Sequence, residues 1–213
     1  WLNRGEGYLP AVQIGEVVRC SGLGRTLASR CEKLAVGDIA YGLPGWQEYA
    51  VVGDDLFTSW IPRDADLTAM ISIYGATGTT ALLGLTEIGQ PKAGETIVVS
   101  AAAGATGSLV GQIGKILGCR VVGIVGSEEK ARFIVDELGF DAAINHRTDD
   151  LTAALKEHCP NRVDVYFDNV GGAVLDAVLG ALNQRGRVAL CGAISVYNDQ
   201  GRPPGPANYM NLI

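Results

Sequence analysis

The strongest constraint on this chain is a regular alternation of two textures from residue 96 onward. Short continuous apolar runs at 96–100, 120–125, 142–144, 163–167 and 187–191 read as strands, and the segments 105–117, 128–138, 151–158 and 173–182 between them read as helices. Strands that are unbroken apolar runs are buried on both faces, which is the habit of a parallel sheet covered by helices on either side. Right-handed crossovers then predict an α/β doubly wound sheet whose ligands sit outside the carboxyl ends of the strands.

The segment after the first of these strands carries the chemistry. Ala101-Ala-Ala-Gly104-Ala105-Thr106-Gly107 stands between strand and helix, with Ala102, Gly104 and Gly107 in register with G-x-G-x-x-G. Gly104 would let the backbone approach a pyrophosphate, Gly107 would let helix and strand pack closely, and the N–H groups opening the helix would face the phosphates. Such a pattern is weak alone, but a βαβ repeat is the setting it requires, so the expected domain is a dinucleotide-binding Rossmann sheet. The second strand ends Val125-Gly126-Ser127, followed by Glu128-Glu129-Lys130, with no carboxylate at the strand end to bind a ribose 2′-hydroxyl. Ser127 would not repel a 2′-phosphate and Lys130 could pair with it, so NADP(H) is the expected cofactor. The alternative for Lys130 is a solvated helix lysine. Glu128 and Glu129 suit the first turn of a helix and need not face the cofactor.

The first third has another texture. Residues 12–20 and 47–52 alternate and are expected as strands, with glycine and proline turns between them, as in part of a small barrel. Trp46 and Tyr49 are expected to pack inside it. Residues 67–74 and 79–88 read as helices joined by a turn at Gly75-Ala-Thr-Gly78, and the domain boundary is placed between 62 and 63. The chain opens on Trp1 and stops at Ile213 inside an apolar pattern, which reads as a portion of a longer polypeptide.

Several function classes are disfavoured. A net charge of −6 without a basic run argues against nucleic acid as the main partner. No apolar stretch is long enough for a membrane span and no signal-peptide pattern opens the chain, so the default location is the cytoplasm. The five cysteines form no C-x-x-C pair and there are two histidines, so no cluster suits a zinc ion and no metal is expected.

Ser100-Ala-Ala-Ala-Gly-Ala-Thr-Gly-Ser108, Val125-Gly-Ser-Glu-Glu-Lys130, Phe167-Asp-Asn-Val-Gly-Gly172 and Cys191-Gly-Ala-Ile-Ser-Val-Tyr-Asn198 together resemble the prostaglandin reductase/leukotriene B4 12-hydroxydehydrogenase family, a zinc-independent medium-chain dehydrogenase/reductase group. The tail from Pro203 is closest to its microbial, curcumin-reductase-like branch. The resemblance implies part of a GroES-like β-barrel domain (1–62) before a Rossmann domain (63–213) that is incomplete at its C-terminus. It also implies NADPH-dependent reduction of the C=C bond of α,β-unsaturated ketones and aldehydes, and a homodimer of the full-length protein.

Carried over by motif, Gly104, Ala105, Thr106 and Gly107 would hold the pyrophosphate and Lys130 the 2′-phosphate. Asn169 would meet the ribose or nicotinamide side, Cys191, Gly192, Ala193, Ile194 and Tyr197 would line the cofactor, and Thr80 would stand near the nicotinamide end. The family often has a tyrosine where this chain has His146, beside Arg147; a basic pair there could serve a phosphate or could be a surface pair. Tyr209 is the nearest candidate for a catalytic tyrosine. The rival readings are a zinc-free quinone reductase on the same scaffold and a non-catalytic NADPH-binding sensor or structural protein.

Overall fold

In the computed structural model, which describes residues 10–53, 57–199 and 204–212, the chain divides into two units, Trp1–Gly75 and Ala76–Ile213. The first contains a three-stranded antiparallel sheet, β1 (Gly22–Arg25), β2 (Ile39–Gly42) and β3 (Ser59–Ile61), in sequential order, and the short helix α1 (Leu67–Ile71). Asp66 caps α1 by accepting from the Thr68 and Ala69 N–H groups. Asp38, at the edge of β2, accepts from Arg63 and from the Ala35 N–H. The Arg63 hydrogen bond holds its carboxyl below the usual range.

The alternating segments 12–20 and 47–52 do not form strands, although both were expected to. Alternation licenses a strand only where a neighbour accepts its hydrogen bonds, and among the described residues neither segment joins a ladder. Trp46 and Tyr49 are each 74% exposed instead of packed, because three strands of three or four residues enclose too little volume.

In the second unit the alternation of the sequence becomes a five-stranded sheet of order β6-β5-β4-β7-β8, every pair parallel. The strands are β4 (Thr96–Ser100), β5 (Arg120–Val125), β6 (Ala142–Asn145), β7 (Val163–Asp168) and β8 (Leu182–Leu190). Helices α2 (Ala76–Leu83), α3 (Ala105–Ile116) and α4 (Glu128–Arg132) cover one face, where Leu85, Val110 and Ile134 meet Ile97, Val99, Val121 and Phe167. Helices α5 (Leu151–His158) and α6 (Gly172–Ala181) cover the other, where Leu155, Val174 and Val178 meet Val98, Val122, Ile144 and Tyr166. This is the doubly wound Rossmann sheet, and the chain reverses direction across it between β4 and β7.

Helix α3 lies close to the sheet because its inner face is glycine at 107, 111 and 114, spacings of four and three residues. A Cβ at Gly111 would fall 1.8 Å from the Phe140 ring, and one at Gly114 would fall 2.9 Å from Ile97.

The helical reading of 79–88 needs two corrections. Gly78 is not in a turn, since α2 already begins at Ala76; the link is the four residues 72–75, and a Cβ on Gly75 would meet the Ile71 carbonyl at 2.7 Å. After Leu83 the helix widens into a π turn (Gly84–Gly89) that lets Gly84 sit against the Phe167 ring, 2.8 Å from where its Cβ would be. A second π turn (Phe133–Glu137) follows α4 and buries Ile134 completely. Strand β8 begins at Leu182, five residues earlier than expected, and its register against β7 shifts between Val163 and Val165, with Arg185 at φ +64°.

Candidate functional site

The carboxyl ends of β4, β5, β7 and β8 carry the segments that the motifs singled out. After β4, Ala101 takes φ +49°, a left-handed conformation unusual for a residue with a Cβ, and the Gly104 N–H bonds back to the Ala101 carbonyl at 2.8 Å. Gly104 is the N-cap of α3 and offers no side chain to cap it. The first intrahelical donor is the Ser108 N–H, to the Gly104 carbonyl, so the N–H groups of Ala105, Thr106 and Gly107 precede the helical ladder and point out of its end. A Cβ on Gly107 would lie 2.4 Å from the Ala101 carbonyl, so nothing larger than glycine fits where the helix crosses the loop. These features fit a phosphate cradle.

After β5, Ser127 caps α4 by accepting from the Lys130 N–H at 3.3 Å. Opposite it, the turn after β6 is held by its own backbone and side chains. The Asn145 N–H donates to Asp149, the Arg147 N–H donates to Asn145 Oδ1, and the His146 N–H donates to the Val125 carbonyl. That turn brings His146 and Arg147 over Gly126: a Cβ there would be 3.2 Å from His146 Nε2 and 3.5 Å from Arg147 Nε. Asn145 Nδ2 meanwhile donates to Glu128 at 2.7 Å, which fastens that carboxylate at the end of β6. Among the described residues, none of the Lys130, His146 and Arg147 side chains has an ion-pair partner. The sequence offers Arg147 with His146 as a basic pair for a phosphate or as a surface pair; its approach to Gly126 needed the fold of the 145–149 turn.

After β7 and β8, two loops are laced together. Asn169 Nδ2 donates to the Ser100 carbonyl at 2.8 Å, and the Cys191 and Gly192 N–H groups donate to the Asp168 carbonyl at 2.8 and 2.9 Å. The Ile194 N–H reaches the Asn169 carbonyl and the Ser195 N–H reaches the Val170 carbonyl. Gly171 and Gly172 make room for this, at φ +70° and +56°; a Cβ on Gly172 would lie 2.9 Å from Ser195 Oγ. The Tyr197 hydroxyl accepts from the Ala193 N–H at 3.2 Å, so it closes its own loop. Ala193 lies against Gly171, while Ile194 is 62% exposed at the loop surface.

Beside these loops is a mostly apolar cleft of about 370 Å³, lined by Thr79, Thr80, Leu83, Gly84, Ile88, Phe167, Ala189, Leu190 and Cys191. Thr80 and Cys191, far apart in sequence, therefore share one cleft. Burial, and secondarily the charge of Asp168, push the Cys191 thiol up from its ordinary range. A larger cavity, about 460 Å³, lies between α5 and α6 around Cys159 and away from these loops.

Tyr209 is not brought to the cleft. It is 58% exposed on a turn (Tyr209–Leu212) whose neighbours hold the C-terminal half of α6: Asn208 bonds Asp176, and Asn211 lies against Gly180. The N-terminus of α6, not that half, faces the carboxyl end of the sheet.

With this geometry in place, the relationship of the chain to known proteins is specific. Residues 105–211 match the family described as zinc-binding dehydrogenase, and residues 1–59 match the N-terminal domain of oxidoreductase. The chain belongs to the medium-chain dehydrogenase/reductase family, on its curcumin-reductase-like branch. It is 43% identical to the NADPH-dependent curcumin reductase of Escherichia coli (strain K12), over 93% of this chain and 58% of that protein. It is also 43% identical to the NADP(+)-dependent 2-alkenal reductase of Nicotiana tabacum, over 90% of this chain and 56% of that protein. CurA from Vibrio vulnificus, crystallised in complex with NADPH, superposes with a TM-score of 0.89 at 42% identity, over 97% of this chain and 61% of that one. The chain thus spans somewhat over half the length of these relatives.

The family description implies zinc. Among the described residues no three His, Cys, Asp or Glu side chains come together to share a metal ion, so the donors present do not fit one. Nor, among those residues, is any helix long and apolar enough to cross a membrane.

Proposed function

We propose that the protein is an NADPH-dependent oxidoreductase that reduces the C=C bond of α,β-unsaturated ketones and aldehydes. The observation that carries this reading is one continuous edge. A glycine cradle with free helix N–H groups lies at the centre, His146 and the unpaired Arg147 guanidinium over Gly126 on one side, and an apolar cleft holding Thr80 and Cys191 on the other. The names of the relatives, a curcumin reductase and a 2-alkenal reductase, favour the conjugated C=C bond as the group reduced.

In this reading the N–H groups of Ala105, Thr106 and Gly107 hold the pyrophosphate, with Gly104 admitting it. Ser127, Lys130 and His146, joined by Arg147, hold the adenosine 2′-phosphate. Thr80, Asn169 and the Cys191–Gly192–Ala193–Ile194 segment border the nicotinamide end, and Tyr197 stiffens that segment. The chemistry that NADPH supplies when bound is a hydride for the β-carbon of the enone. Enolate charge then gathers on the carbonyl oxygen and the α-carbon takes a proton, so the cleft must place a donor at that oxygen. Thr79 and Thr80 both bring a hydroxyl to the cleft, and Thr80, the one the family resemblance places at the nicotinamide end, takes that part in this reading.

Residues 1–62 belong in this reading to a GroES-like domain and 63–213 to the Rossmann domain. The full-length protein is taken to be a cytoplasmic homodimer.

The test is titration of the protein with NADPH and NADH, for wild type and Lys130→Ala, beside 2-cyclohexenone and quinone turnover by the full-length protein. Preference for NADPH that falls in the variant, with enone turnover, supports the reading. Faster quinone turnover moves the protein to the quinone reductases, and binding without turnover moves it to the non-catalytic sensors. Tyr209→Phe is expected to leave enone turnover unchanged; a loss above tenfold would bring Tyr209 into the site.

A further inference from the structure

Asp168, the last residue of β7, is completely buried and belongs to none of the motifs' assigned roles. Its Oδ1 accepts from four donors: Tyr166 OH at 2.7 Å, Ser100 Oγ at 3.1 Å, and the Val170 and Gly171 N–H groups at 2.9 Å each. Its main-chain carbonyl accepts from the Cys191 and Gly192 N–H groups. Ser100 Oγ in turn accepts from the Asn169 N–H at 2.9 Å. One residue therefore ties the strand that enters the glycine loop, the Asn169 loop and the Cys191 loop to a common point. Oδ2 is buried with no hydrogen-bond partner, and among the described residues no Lys, Arg or His pairs with the carboxylate.

Four donors on one oxygen suit a charged acceptor, and a proton on Oδ2 would itself find no partner. Tyr166 and Ser100 are the polar side chains that reach it from its own strand and from β4. Cys191, at the end of β8, is the titratable group that both lines the cleft and hangs from the Asp168 carbonyl.

We propose that Asp168 is the positioning residue of this cleft, holding the three loops in one register and keeping an unneutralised negative charge beneath them. The proposal rests on the nucleotide-binding reading above. Its consequence is electrostatic. The oxidised nucleotide carries one more positive charge than the reduced one, so a carboxylate below the cleft favours the oxidised form and with it the departure of hydride.

The experiment compares Asp168→Asn with wild type by two readouts: dissociation constants for NADP+ and NADPH by titration, and the pH midpoint of Cys191 alkylation by iodoacetamide, followed by mass spectrometry. The substitution keeps the shape and removes the charge. The Kd ratio of NADP+ to NADPH is expected to rise about tenfold, and the alkylation midpoint to fall by about one pH unit. A merely structural role would weaken both nucleotides equally and leave the ratio alone; that result, or an unchanged midpoint, overturns the proposal.

Tyr166→Phe, which removes one donor and leaves the charge, is expected to move both readouts the opposite way. It decides the matter if the asparagine variant does not fold, and no movement in it also overturns the proposal. If the wild type binds neither nucleotide, the functional reading fails, while the alkylation midpoint still tests the charge.

Discussion

At the amino end of the five-stranded sheet the strands are tied together by charged side chains that satisfy one another, whereas at the carboxyl end the ties are main-chain and hydroxyl hydrogen bonds around glycine. At the amino end Arg187 pairs with Glu95 and donates to the Gly89 and Gln90 carbonyls that finish the π turn. Asp164 accepts from the Thr96 N–H and from Asn183, and Asp141 accepts from Lys115 and the Val121 N–H. At the carboxyl end the helix N–H groups of Ala105–Gly107 and the Arg147 guanidinium over Gly126 have no protein partner among the described residues, and Asp168 does the tying from below. A surface whose charges are mutually satisfied has little to offer a ligand; one with donors in hand and backbone exposed by glycine can bind an anion. The two ends share the same strands, so the difference lies in the residues flanking them.

The sharpest way to break this contrast is Gly107→Ala. Its Cβ would meet the Ala101 carbonyl at 2.4 Å, and carbonyl and helix would have to part. NADPH binding is expected to weaken by about a hundredfold, together with a loss of about 2 kcal/mol of stability, read by titration and by urea melts.

Arg187→Ala should do the converse. It strands Glu95 and two helix-end carbonyls and costs about 2 kcal/mol, yet leaves the Kd for NADPH within twofold. Should binding fall with stability, the two ends would not be separable. The same variant has a pH signature. The Arg187 hydrogen bond holds the Glu95 carboxyl below its ordinary range, so its folded pKa lies under the unfolded one. Stability from this pair is present above about pH 4.5 and is lost as pH falls through the folded value. Acid melts of Arg187→Ala should therefore show a shallower decline below that pH than wild type.

Arg147→Ala is expected to weaken NADPH about tenfold and NADH hardly at all, as loss of a charge-assisted phosphate contact requires. Equal weakening of both would remove Arg147 from the phosphate site. The smallest effect belongs to Ala101→Gly, which relieves the positive φ in the loop and should stabilise the protein by about 0.5–1 kcal/mol without changing affinity.

Much of this was legible from residue order. The runs 96–100 and 120–125 are strands to the residue, and 151–158 is the helix expected, because a buried parallel strand and a capped helix write their periods directly into sequence. Gly107 was legible too, since no other residue type fits a helix laid against its own loop. The strands expected at 12–20 and 47–52 failed for the opposite reason: alternation says which face is apolar, not whether another strand lies alongside. Asp168 was hidden, and the two readings of the His146-Arg147 pair stayed open, because the positions that decide them, Ser100 and Gly126, stand 68 residues from Asp168 and 21 from Arg147 along the chain and meet them only in space.

The sequence alone determined the order of strands and helices from β4 onward, the glycine cradle, and the absence of a carboxylate at the end of β5, all matters of local sterics and periodicity. Only the tertiary structure decided that Thr80 and Cys191 line one cleft, that His146 and Arg147 turn over Gly126, that Tyr209 lies along α6, and that one buried carboxylate underlies three loops. Those are relations between segments brought together by parallel crossovers, and a crossover joins positions that local sequence has no means of comparing.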